Sequence, residues 1–183
     1  EIADGDWSSD VCSSDLGILG GGQLARMSAF AAYRMGFEVA VLEKKKDSPA
    51  GQLTHNEFVG WVDDEDVLKR FVEVSDIVTL ENEFIDSQKL QKIEQMGITV
   101  TPSSKTLALI QDKLIQKETF YNNNLPVPEF IKIETENDFQ KISEMLGVPF
   151  VIKSRKMGYD GYGNAEVNDE SDFKEAYNNL TKR

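Results

Sequence analysis

Residues 17–27, GILGGGQLARM, have the types and order suited to holding a phosphate: a short apolar run, three consecutive glycines, then an amphipathic helix. Without Cβ atoms, Gly20, Gly21 and Gly22 let a ligand come up against the main chain. The helix that follows aims its unpaired amides and the positive end of its dipole at the same place. Gly20, Gly22 and Ala25 also satisfy G-x-G-x-x-G/A, and Glu43 stands near where a dinucleotide fold carries its ribose-binding acid. The loop by itself leaves a dinucleotide and other phosphate ligands open.

A second constellation lies in residues 149–167, PFVIKSRKMGYDGYGNAEV. Lys153 sits near the end of an apolar strand, an address where the stem packs on the sheet and the ammonium is held. The loop beyond it carries Gly158, Gly161 and Gly163, enough glycine to fold over a nucleotide and offer amides to its phosphates. A lysine beside such a loop is a phosphate clamp; the plainer alternative is a hairpin with a surface lysine.

The elements that position these residues alternate. A strand at 16–19 leads to a helix with Leu24, Met27, Ala31 and Met35 at one-face spacing, capped by Gly36. Strands follow at 37–42, 57–62, 76–80 and 98–100, with helices at 67–74 and 88–96; Asp63 to Asp66 supply acids to the dipole of the first of these. This pattern predicts a parallel sheet with helices on both faces. Around Thr101 the pattern changes. Helices are expected at 105–110 and 112–122, then an extended Leu125-Pro126-Val127-Pro128 linker, because each proline pushes its predecessor out of the helical region. Strands at 130–133, 150–154 and 164–167 and helices at 137–146 and 171–180 make a small α+β unit. The boundaries drawn are 1–15, 16–101 and 102–183.

The first of these segments, EIADGDWSSDVCSSD, is rich in Ser and Asp and has no apolar period. It reads as foreign to the fold, introduced by cloning or sequence assembly, or as a disordered native tail. The 183 residues are 40% hydrophobic, enough for a core, and the net charge of −12 argues against a general binder of nucleic acid or anionic membrane. No apolar run of about 18 residues or secretory leader is present, so a cytoplasmic address is expected. Cys12 is alone, which excludes an internal disulfide and a cysteine-based zinc site. His55, the sole histidine, has no partner identifiable by spacing; Phe58 and Trp61 read as packing residues, and Lys44 to Lys46 as a solvated turn.

Four collinear motifs carry a family resemblance. GILGGGQLARM, VTLENEF at 78–84, PSSKTLALIQDKLIQKETF at 102–120 and IKSRKMGYDGYGN at 152–164 resemble, in order and spacing, the 5-(carboxyamino)imidazole ribonucleotide synthases, purine-pathway members of the ATP-grasp superfamily also known as the ATPase subunit of phosphoribosylaminoimidazole carboxylase. The resemblance implies a Rossmann-like pre-ATP-grasp domain followed by a small α+β ATP-grasp subdomain. It implies that Gly21, Gly22, Gln23 and Leu24 bind the ribonucleotide's phosphate and ribose, with Glu81 and Glu83 facing the same crevice. Lys113 and Lys153 would contact ATP, and Gly158, Tyr159, Asp160, Gly161, Tyr162, Gly163 and Asn164 would close over its phosphates. The implied reaction is ATP-dependent carboxylation of 5-aminoimidazole ribonucleotide with bicarbonate through carboxyphosphate, with magnesium, and with dimers common in the family.

The chain departs from the family at two loop positions, with Tyr162 where a basic residue is usual and Met157 where glycine is frequent. The family's magnesium ligands, adenine-contacting segment and main catalytic residues lie in a portion beyond the equivalent of Arg183. The chain is therefore expected to be an incomplete synthase that does not turn over alone. Two other classes remain: an NAD(P)-dependent oxidoreductase, which would use Gly20 to Ala25 and Glu43, and a non-catalytic nucleotide-binding module.

Overall fold

The computed structural model describes residues 15–158 and 162–181. They form two compact units, the first running to Leu107 and the second from Ala108 onward. The first unit passes the boundary drawn at Thr101 because Leu107, on helix α4 (Ser104–Gln111), is buried in its core, and Glu94 accepts hydrogen bonds from the Ser104 amide and hydroxyl at the start of that helix.

In the first unit, strands β1 (Asp15–Leu19), β2 (Glu38–Glu43), β3 (Asn56–Val59), β4 (Ile77–Leu80) and β5 (Thr99–Thr101) make one parallel sheet in the order β3-β2-β1-β4-β5. Strand alternation divides its side chains between two cores. Ile18, Val39 and Val41 face helix α1 (Gln23–Arg34). Leu19, Ala40, Leu42 and Val78 meet Val67, Leu68 and Phe71 of α2 (Glu65–Glu73) and Leu90 and Ile93 of α3 (Ser87–Gln95) on the other face. Phe58 and Trp61 are packing residues, as expected: Phe58 meets Phe71 edge-on at 5.9 Å, and Trp61 lies against this second core.

The predicted face of α1 is turned around. Ala25, Ala29 and Ala32 are buried, whereas Leu24, Met27 and Met35 are 56%, 66% and 73% exposed. Small residues win the interface because a helix entered directly from a glycine turn lies close over β1 and β2, which is also why that motif ends in Gly or Ala. Asp15, the last residue of the segment read as foreign, opens β1 opposite Glu38; the segment's other residues lie outside those described. Its Oδ1 is buried without a hydrogen-bond partner, and burial, Asp76 and Glu38 together push the carboxyl up.

The second unit contains α5 (Lys113–Asn122), α6 (Phe139–Leu146), the antiparallel pair β6 (Phe150–Lys153) and β7 (Asn164–Val167), and α7 (Glu170–Thr181). Its core is Ile142, Phe150, Ile152, Val167, Phe173 and Ala176. The strand expected at 130–133 does not form. Ile131 and Ile133 pack on this core, but the described sheet pairs only β6 with β7, so their backbone has no ladder to join.

Candidate functional site

The glycine loop leaves β1, the central strand, where the strand order reverses and open α/β sheets leave a crevice at their carboxyl ends. Backbone bonds fix it on both sides: Gly20 N donates to Leu42 O at 3.0 Å, Glu81 N to Leu19 O at 2.9 Å, and Ala50 N to Gly21 O at 2.8 Å. Two carboxylates complete the frame. Glu43 Oε2 accepts from Gly21 N at 2.9 Å, and Glu81 Oε2 from Gly22 N at 3.0 Å. Gln23 and Leu24 open α1 with exposed side chains; Glu81 is half-buried and Glu83 exposed. Gly21, Gly22, Gln23, Leu24 and Glu81 thus come together at the carboxyl end of the central strands.

Gly20 shows why this turn needs glycine. Its φ is +99°, and a Cβ there would lie 2.6 Å from Glu81 Oε2 and 2.8 Å from Glu81 Cβ. Gly20→Ala is expected to cost about 1–3 kcal/mol through backbone strain and displacement of Glu81. A lower urea midpoint for the first unit in circular dichroism checks this; an unchanged midpoint refutes it.

The loop at 47–54 braces this frame, and the sequence offered little sign of it. Glu57 accepts from Asp47 N and Ser48 N, both at 2.9 Å, and from Ser48 Oγ at 2.7 Å, while Ser48 Oγ accepts from Gly51 N at 3.0 Å. Burial works to raise the Glu57 carboxyl, but these Ser48 and Asp47 bonds outweigh it and hold it below its ordinary range. A serine and a glutamate nine residues apart make no motif; only the packing of β3 beside β2 brings them together.

In the second unit Asp112 caps α5, its Oδ1 accepting from Leu114 N at 3.0 Å and Ile115 N at 3.3 Å. The same carboxylate takes the fork of Arg155, Nε at 3.0 Å and Nη2 at 2.6 Å. Lys113 follows the cap. Its amide donates to Arg155 O at 2.8 Å, and its Nζ donates to Gly158 O at 3.1 Å. A Cβ on Gly158 would sit 2.5 Å from that ammonium and 2.9 Å from Ser154 Oγ, so a side chain there would displace both groups. Asp112 and Arg155 were not among the sequence candidates. An aspartate before a helix signals a cap, but nothing local pairs it with an arginine 43 residues on.

Lys113 and Lys153 line one cleft of about 1180 Å³, walled by residues 112–114, 116–117, 128–133 and 150–157. Lys153 is exposed and, among the described residues, has no ion-pair partner. Tyr162, Gly163 and Asn164 line a separate hollow of about 400 Å³ against α7. Tyr159, Asp160 and Gly161 lie outside the described residues. Met157, where the family often has glycine, adopts φ +57°, a conformation in which glycine is at ease.

No group of three or more His, Cys, Asp or Glu side chains that could hold a metal occurs among the described residues.

The first unit is thus a doubly wound parallel sheet with a glycine loop at its switch point, followed along the chain by a hairpin unit in which Lys113 and Lys153 share a cleft. Comparisons with known proteins narrow this. Residues 14–111 match the ribonucleotide synthetase preATP-grasp domain, and residues 118–183 match the ATP-grasp domain. The chain belongs to the ribonucleotide synthetase preATP-grasp family. It is 38% identical over 168 residues to the N5-carboxyaminoimidazole ribonucleotide synthase of Staphylococcus epidermidis, covering 92% of this chain and 44% of that protein. The Staphylococcus aureus N5-carboxyaminoimidazole synthetase complexed with ADP superposes with a TM-score of 0.82 at 34% identity, over 92% of this chain and 45% of that one. The Aspergillus clavatus synthase in complex with ADP and 5-aminoimidazole ribonucleotide gives 0.79 at 31%, over 93% and 45%. The chain thus spans less than half the length of these relatives.

Proposed function

We propose that this chain supplies the ribonucleotide-binding unit and part of the ATP-binding unit of an N5-carboxyaminoimidazole ribonucleotide synthase. The observation that carries this reading is the likeness, over 93% of the chain, to a synthase whose complex holds both ADP and 5-aminoimidazole ribonucleotide. This chain has the groups such ligands need. The loop and the start of α1 receive the ribonucleotide, with Glu81 and Glu83 facing its hydroxyls. Lys113 and Lys153, which line one cleft, meet the nucleotide phosphates there. In the reaction ATP phosphorylates bicarbonate; the aminoimidazole nitrogen then attacks the carboxyl carbon of carboxyphosphate, and phosphate leaves. The lysines neutralise phosphate charge as it shifts toward the leaving group. Magnesium, bound through those phosphates, a cytoplasmic setting and pairing of two copies belong to the same reading. No helix among the described residues is long and apolar enough to cross a membrane.

The use of Glu43 argues against the NAD(P)-dependent alternative. Its carboxylate is already engaged by the loop rather than directed to a ribose, and that reading gives no role to Lys113 or Lys153. For the chain joined to the carboxyl-terminal portion of a relative, ADP release should require both 5-aminoimidazole ribonucleotide and bicarbonate. Lys153→Ala should reduce kcat/KM for ATP by about 100-fold. ADP release independent of the ribonucleotide would refute the assignment.

A further inference from the structure

The chain keeps its thioethers out of every core. All five methionines, Met27, Met35, Met96, Met145 and Met157, are 43% to 73% exposed, and the three buried clusters hold only aliphatic and phenylalanine side chains. An oxidant reaches these sulfurs without first unfolding the chain, and oxygen added to them disturbs no core. Met157 alone among them lines the cleft that carries Lys113 and Lys153, and it is 69% exposed. It stands at the turn that leads from β6 into the glycine loop. Its φ of +57° puts a side chain where glycine is at ease, and the next residue, Gly158, gives its carbonyl to the Lys113 ammonium at 3.1 Å. The neck of the loop is close-packed: a Cβ on Gly158 would lie 3.1 Å from Tyr162 O, and one on Gly163 would lie 3.1 Å from Gly158 Cα. A polar group added at Met157 therefore acts on a strained turn one residue from the bond that seats Lys113.

We propose that Met157 is a modification site for hydroperoxides, whose oxidation to the sulfoxide reversibly lowers the nucleotide affinity of the cleft. The thioether sulfur attacks the terminal oxygen of the peroxide; the S–O bond forms as the O–O bond breaks, and sulfur is oxidised by two electrons. The departing oxygen takes the proton of the transferred hydroxyl and leaves as water or an alcohol. A flexible apolar group thereby becomes a polar hydrogen-bond acceptor on a wall of the cleft whose lysines serve the phosphates. Methionine sulfoxide reductases with a dithiol reverse the change, the oxygen leaving as water. The inference rests on the nucleotide reading above and adds a control to that site.

The test is a calorimetric titration of the full chain with ADP before and after exposure to hydrogen peroxide, with peptide mass spectrometry to read the oxygen gained at each methionine. Dithiothreitol added after the peroxide reverses sulfenic acid and disulfide at Cys12 and leaves sulfoxides in place. The wild type should gain one oxygen at Met157 and lose about tenfold in ADP affinity as the loop beside Lys113 is displaced. Its urea midpoint should stay where it was, because no core contains methionine, and methionine sulfoxide reductases should restore the affinity. Met157→Leu, apolar and of similar size but without sulfur, should keep its own untreated affinity through the same exposure. Met157→Gly, which also relieves the strained turn, should do likewise and gives the comparison should the leucine variant unfold. Untreated wild type that binds no ADP removes the nucleotide reading and this inference with it. ADP binding that survives oxidation of Met157, that weakens equally in wild type and Met157→Leu, or a Met157 that stays unoxidised while the other four gain oxygen, keeps that reading and overturns this one.

Discussion

Phe173→Ala is expected to remove about 3–5 kcal/mol from the second unit, the range for truncating a fully buried phenylalanine. Phe173 is 0% exposed, and its ring lies 5.8 Å from Phe139, 6.2 Å from Phe150 and 6.5 Å from Tyr177. It therefore joins α6, β6 and α7 at one point. A unit of this size holds about 4–11 kcal/mol in total, so the loss takes much of its stability. Both tryptophans, Trp7 and Trp61, precede the second unit, which makes their fluorescence a poor reporter of it. Hydrogen exchange at β6 and β7 is the suitable measurement. The Ile152 and Ala165 amides should lose protection in Phe173→Ala and retain most of it in Phe173→Leu, because the smaller volume change leaves less cavity. Equal protection in wild type and Phe173→Ala would show that the ring cluster does not hold the unit together.

Asp112→Ala should destabilise the second unit by about 2–3 kcal/mol, combining loss of a helix cap with loss of charged hydrogen bonds. The side chain of Asp112 is only 4% exposed, but that of Arg155 is 49% exposed and can return to water, which keeps the cost below that of stranding a buried charge. A second effect should appear in ligand binding. Lys113 is held between the capped helix start and the loop carbonyl of Gly158, so loosening the cap should weaken nucleotide-phosphate affinity by about tenfold. Calorimetric titration with ADP measures this. Asp112→Asn, which keeps an acceptor for the cap but loses the charge that pairs with Arg155, should recover part of the stability and little of the affinity.

The same residue predicts an acid response. Burial alone would raise the Asp112 carboxyl, yet the Arg155 fork and the Ile115 and Leu114 amides hold it below its ordinary value. A depressed carboxyl contributes stability that is full above the unfolded value, about 3.9, and is lost as pH falls through the lower folded value. The wild type should thus weaken on acidification below about pH 4 more steeply than Asp112→Ala. Parallel slopes in urea melts across that range would contradict the bond pattern around this carboxylate.

Several parts of the site were legible from residues alone. The glycine turn, the alternation of strands and helices, and the placement of Lys153 at the end of a strand all depend on near neighbours in the chain. Alternation and capping act over a few residues, so a sequence displays them directly. The buried face of α1 was misread for a physical reason. Periodicity put Leu24, Met27 and Met35 on one stripe, but the close approach demanded by the turn favours Ala25, Ala29 and Ala32. Hydrophobicity alone ranks the larger residues inside, whereas the available distance ranks the smaller ones. The strand expected at 130–133 failed because a strand also needs a partner, which no local pattern records.

The sequence by itself determined that two glycine-rich segments exist, that the first stands between a strand and a helix, and that the second follows a lysine-bearing strand. These are consequences of backbone freedom and residue order. Only the tertiary structure decided which side chains complete them. The strand order places the end of β2 and the end of β4 on either side of the end of β1, so Glu43 and Glu81, 22 and 59 residues from their partners, become the acids that close the Gly21 and Gly22 amides. Hydrogen bonds from the start of α5 to the segment after β6 likewise join Asp112 to Arg155 and Lys113 to Gly158. Such pairings depend on which elements become neighbours in space. The bonds that engage the Gly21 and Gly22 amides were thus set by two carboxylates brought in from other strands.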